Sequence, residues 1–89
     1  MSASPRSSFQ KAVSKQTPAQ AREDAINRLI ESGATRELRT IVLASGLDAR
    51  FRRQAIDGLG RANGTAALEM LAGDRSLHPV LRSRAKELQ

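Results

Sequence analysis

A chain whose residue pattern returns every 30 positions can fold in few ways. Arg22, Arg52 and Arg82 fall in register, as do Ala25, Ala55 and Ala85. Ile26 matches Ile56, Leu29 matches Leu59, Thr35 matches Thr65, Leu38 matches Leu68, Ile41 matches Leu71 and Leu47 matches Leu77. A fixed period in the range of roughly 20–50 residues marks an array of like units, each burying its apolar face only against its neighbours.

With 89 residues the chain is one small domain, near the size at which a single core becomes marginal, so little area is spare for a buried catalytic pocket. Cysteine is absent, which removes disulfides, thiolate metal sites and cysteine nucleophiles together. Phe9 and Phe51 are the only aromatics, leaving a core of Leu, Ile, Val and Ala, the filling of closely packed helices. No apolar run has the form of a signal peptide or reaches the roughly 20 residues of a membrane span, so a cytoplasmic protein is expected.

Helix signals follow the repeat. Thr17-Pro18-Ala19-Gln20 reads as a capping box with proline in the first turn, and Ala21, Ala25, Ile26, Leu29 and Ile30 make an apolar face up to a left-handed cap at Gly33. A second helix is expected from a Thr35 cap to about Ser45, and Asp48 caps a third that carries Phe51, Ala55, Leu59 and Ala62 and stops at Asn63-Gly64. Thr65 starts a short helix through Leu68 and Leu71, and Pro79 opens the last, with Leu81, Ala85 and Leu88. Near the N-terminus, Phe9, Ala12 and Val13 have the spacing of Leu38, Ile41 and Val42, displaced by one position less than the full period, which suggests a further short helix capped by Ser7 or Ser8. Residues 1–5 are expected to be disordered and 6–89 to form one domain, with units of about 6–33, 34–63 and 64–89.

The segment Phe51-Arg52-Arg53-Gln54-Ala55-Ile56-Asp57-Gly58-Leu59-Gly60 resembles the second helix of a HEAT repeat, and Leu81-Arg82-Ser83-Arg84-Ala85 and Ala21-Arg22-Glu23-Asp24-Ala25 are weaker copies. The short unit is more similar to the compact HEAT-like repeats of the bilin-lyase type than to the longer kind. The resemblance covers roughly residues 17–89, most specifically 48–62. It implies an all-α, right-handed α-solenoid of about three helical pairs (five to six helices), with the longer helices on a concave face. It also implies that the recurring arginine ties one unit to the next, often through an aspartate in the preceding turn. Gly46 and Ser76 stand where that aspartate belongs, and Asp48 and Asp74 sit at other offsets, so no arginine–aspartate ladder is expected. Activity does not transfer on fold resemblance alone.

Arg22, Arg52 and Arg82 sit beside the apolar stripe, where their stems can lie on it while the guanidinium groups reach neighbouring carbonyls, a structural role. The solvent side of the longer helices is the expected surface for a protein partner, through Arg50, Arg53, Asp57, Arg61 and Arg84. The repeat places Glu23 beside Arg53 and Gln54 beside Arg84, so part of this face is expected to neutralise itself. Terminal units lack a neighbour on one side, and Phe9, Val13, Leu81 and Leu88 are then candidates for exposure and for homodimerisation through an end. The net charge of +6 supports an alternative, nucleic-acid contact through Arg6, Lys11, Lys15, Arg36 and Arg39, but the chain offers no aromatic stacking platform and no helix-turn-helix. Gly58 and Gly60 in mid-helix point to close packing, or at Gly60 to a shallow depression. His78, alone before Pro79, is expected to cap a helix. No catalytic constellation, metal site or cofactor motif is present, so an interaction adaptor is expected and an enzyme is not.

Overall fold

The computed structural model describes residues 4–89, which form six helices and no strand: α1 (Pro5–Val13), α2 (Ala19–Glu31), α3 (Thr35–Leu43), α4 (Ala49–Arg61), α5 (Thr65–Ala72) and α6 (Pro79–Leu88). Helices pack as pairs, α1 on α2, α3 on α4 and α5 on α6. The longer helices α2, α4 and α6 lie side by side in that order, as do the shorter α1, α3 and α5. The core runs between the two layers and is built from Ile26, Leu29, Leu38, Ile41, Val42, Phe51, Ile56, Leu59, Leu68 and Leu71 with small alanines between them.

The period of the sequence holds at atomic detail. Arg22 Nε donates to the Ala12 carbonyl at 3.0 Å, and Arg52 Nε donates to the Val42 carbonyl at 2.8 Å. These bonds join the two helices of one pair, not one unit to the next. They also correct the register of the first unit, because Ala12 corresponds to Val42 at the full period, where a displacement one position shorter is expected from the sequence. Ser8 accordingly takes the place of Leu38 and is buried. Helix α1 begins at Pro5 with Ser4 as its cap, accepting from the Ser7 amide at 3.2 Å, so neither Ser7 nor Ser8 caps it. Of residues 1–5, expected to be disordered, Ser4 and Pro5 are the cap and first residue of α1, and residues 1–3 lie outside the described residues.

Three further caps differ from expectation, the first being Asp48, which stands at the N-cap of α4 without a side-chain bond to it. Thr17 does not cap α2; it occupies the turn position of the buried Leu47 and Leu77, and its amide donates to the Ser14 carbonyl. Thr35 is the first helical residue of α3 and makes no capping bond. Two ends are as the sequence suggests or nearly so. Gly33 takes the left-handed conformation at φ 67°, and its counterpart is Asn63 at φ 57°, not Gly64. In both turns the next amide closes five residues back, Ala34 to the Leu29 carbonyl and Gly64 to the Leu59 carbonyl.

Gly58 and Gly60 both serve packing, with large and small residues exchanged between two equivalent places. At the α2–α4 contact Ile30 fills the space over Gly58, where a Cβ would meet Ile30 Cγ1 at 2.3 Å. At the α4–α6 contact Gly60, the counterpart of Ile30, faces Leu88, the counterpart of Gly58, and an added Cβ would lie 3.3 Å from Leu88 Cδ2. Replacing either glycine by alanine gains about 1 kcal/mol of helix propensity, but the steric terms differ. Gly58→Ala collides with a β-branched side chain of limited freedom, costing about 1–3 kcal/mol, and should lower stability. Gly60→Ala meets only the tip of Leu88 and should be neutral or stabilising by up to about 1 kcal/mol. Urea unfolding of both variants, and of Gly58→Ala in an Ile30→Ala background where the collision is gone, checks the opposite signs.

Candidate functional site

The layer formed by α2, α4 and α6 carries the charged residues singled out from the sequence, and neighbouring helices pair them at a separation about one helical turn short of the period. Arg50 bonds the Glu23 carboxylate and lies over the Phe51 ring, 5.1 Å from its centroid. Gln54 donates to Asn27 Oδ1 at 3.2 Å and to the Glu23 carbonyl at 3.0 Å. Arg84 Nε donates to Asp57 at 2.7 Å, and its Nη1 donates to Glu87 at 3.0 Å. Asp57 and Glu87 together hold the Arg84 guanidinium more firmly protonated than usual. The pairings expected at the full period, Glu23 with Arg53 and Gln54 with Arg84, do not form, because adjacent helices are staggered by a turn.

Of the five residues expected to face a protein partner, Arg50, Asp57 and Arg84 are therefore engaged within the chain. Arg53 and Arg61 are exposed, and among the described residues neither has an ion pair or a side-chain hydrogen bond. Arg53 borders an open depression of about 250 Å³ between α4 and α6, whose other walls are Val80, Leu81, Ser83, Arg84 and Glu87. Val80 is 58% exposed, an aliphatic side chain presented to solvent. Sequence reasoning missed this residue. The repeat signals it, since Val80 stands where Arg50 stands one unit earlier.

Of the recurring arginines, Arg22 and Arg52 hold the two helices of their own pair together. Arg22 is only 8% exposed, and its guanidinium lies 4.2 Å from the centroid of the Phe51 ring on α4, so it holds its own pair together and also touches the next one. Arg82 Nε is buried without a hydrogen-bond partner. Helix α5 is one residue shorter than α3 and ends at Gly73, whose amide turns back to the Glu69 and Met70 carbonyls. Nearby, Asp74 accepts from the amide and hydroxyl of Ser76 at 2.9 and 2.6 Å, which holds its carboxyl below the usual carboxylate range.

On the shorter-helix layer Arg6 and Arg36 occupy corresponding positions of α1 and α3 and are both exposed. Lys11 and Lys15 are exposed as well, whereas Arg39 is half-buried and directs Nη1 at the Met70 sulfur, 3.3 Å away. His78 caps α6, its Nδ1 accepting from the Val80 amide at 3.1 Å. Among the described residues no three metal-ligating side chains cluster, and no helix is long and apolar enough to cross a membrane. Comparison with known protein families, curated proteins and solved structures finds no match to this chain.

Proposed function

We propose that this chain is a right-handed HEAT-like α-solenoid of three helical pairs that acts in the cytoplasm as a protein-interaction adaptor and not as an enzyme, its partner lying along α2, α4 and α6. One observation carries this reading. Where Arg50 and Arg84 are paired within the chain, Arg53 is exposed and, among the described residues, without an ion pair, and it lines the same depression as the exposed aliphatic Val80. A free cation beside an apolar spot gives a partner both orientation and desolvated contact area. A second copy stacked on an end fits less well. Lys11 replaces the buried Ile41 and Leu71, and Lys86 replaces the buried Ile26 and Ile56, so each end presents an exposed cation where interior contacts bury an aliphatic. Leu81 is buried, and Phe9, Val13 and Leu88 pack against the core, so these side chains do not need an end-on partner.

Nucleic-acid contact is the second reading, favoured by Arg6 and Arg36, which repeat and, among the described residues, have no ion pair, on a layer whose first helix carries no acid. Capture from nuclease-treated extract of the source cell separates the two. A protein partner should survive nuclease, be retained by an Arg6→Glu/Arg36→Glu variant and be lost by Arg53→Glu/Arg61→Glu. Loss on nuclease treatment or on changing Arg6 and Arg36, with a steep decline in salt, would replace the adaptor with the nucleic-acid reading.

A further inference from the structure

The polar contacts between adjacent long helices form a series with one member missing. Residues 27 apart face each other: Glu23 with Arg50, Asn27 with Gln54, and Asp57 with Arg84 are all bonded. The remaining member of the series is Arg53 with Val80. At the α2–α4 contact this position holds a carboxylate and a guanidinium; at the α4–α6 contact it holds a guanidinium and an aliphatic side chain that cannot answer it. The mismatch falls at the mouth of the depression lined by Arg53, Val80, Leu81, Ser83, Arg84 and Glu87. Arg84 and Glu87 already bond each other, which leaves Arg53 as the unengaged charge of the depression and Val80 as its exposed apolar surface.

We infer that this step docks a segment of a partner protein that presents a carboxylate side chain next to an aliphatic one. The carboxylate takes the role toward Arg53 that Glu23 takes toward Arg50, accepting from a guanidinium whose planar fork suits it. The neighbouring aliphatic residue covers Val80 and removes it from water. The assignment rests on the adaptor reading and sharpens it to one pair of residues and one ligand chemistry.

The test titrates the isotopically labelled full chain with a synthetic peptide of alternating glutamate and leucine, with a glutamine-for-glutamate control, followed by NMR shifts and by calorimetry. Shifts should centre on Arg53, Val80, Leu81 and Ser83. The glutamine peptide and the Arg53→Gln variant should each bind about tenfold more weakly or worse, as expected for loss of a charged hydrogen-bonded pair, while Arg28→Gln, exposed on α2 and outside the depression, stays within about twofold. The double variant Arg53→Glu/Val80→Arg rebuilds the Glu23–Arg50 arrangement at the second contact, and should melt no lower than the parent and lose the peptide. Absence of peptide binding, binding indifferent to the glutamate, or binding retained by the double variant would overturn the inference. In each of those cases the adaptor reading stands or falls separately, on whether Arg53→Glu/Arg61→Glu abolishes capture of a protein from extract.

Discussion

Phe51→Ala is expected to destabilise the chain by about 3–5 kcal/mol, the range for removing a buried aromatic ring and leaving its cavity. An 89-residue domain has on the order of 4–13 kcal/mol of total stability, so this single change would remove a large part of it. The ring is 1% exposed and sits where two pairs of helices meet, with Arg22 from α2 stacked on it. Alanine would take away the packed surface and also leave the Arg22 guanidinium lying over a void. Phe51→Leu separates the two contributions, because Leu81 occupies the corresponding position of α6 and is itself buried. Leucine keeps most of the volume and should cost under about 1.5 kcal/mol beyond the lost cation–π contact. Equilibrium urea unfolding measures both. A loss under about 1 kcal/mol for alanine, well short of the cost of a vacated core site, would mean that the ring does not bridge the pairs.

The repeat made the helices, their pairing into units and most of the core legible in the sequence, because buried positions must return with the period of the units. What stayed hidden follows from positions where the repeated residue changes its chemistry. Ser8 and Lys11 stand in the places of Leu38 and Ile41, so matching apolar residues alone slides α1 by one residue, and only the Arg22–Ala12 bond fixes it. Thr17 has the chemistry of a cap, yet its place is that of Leu47 and Leu77, and packing decides. The stagger of one turn between α2 and α4 and between α4 and α6 is likewise absent from the period. It is set where Ile30 seats over Gly58 and Leu88 over Gly60, and it selects Arg50, not Arg53, as the partner of Glu23. The candidate site depends on that stagger. Composition and spacing pointed to the layer of longer helices and to Arg53, but Val80 becomes meaningful only when the residue facing it is known.

Removing residues 1–16 tests whether α1 completes the first unit. Ala12 is fully buried, Phe9 and Val13 pack against the core, and α1 lies against both α2 and α3. Its loss uncovers the faces of those two helices and takes the Ala12 carbonyl from Arg22, whose guanidinium is mostly buried. Uncovering two or three aliphatic side chains costs about 1.5–3 kcal/mol each, offset in part by the conformational freedom of a helix that no longer has to be ordered. A net loss of about 2 kcal/mol or more is expected, and a domain of this size loses roughly 4–8 °C of melting temperature for each kcal/mol. The truncated chain should therefore melt about 8 °C or more below the parent. Ser4→Ala supplies the scale for a purely local weakening of α1, since it removes the cap and leaves the helix in place, at about 0.5–2 kcal/mol. If the truncated chain melts with the parent, the array starts at α2, Arg22 needs no carbonyl from α1, and Lys11 is no longer the residue that blunts the first end. If it melts well below, Lys11 and Lys86 are matched terminal substitutions.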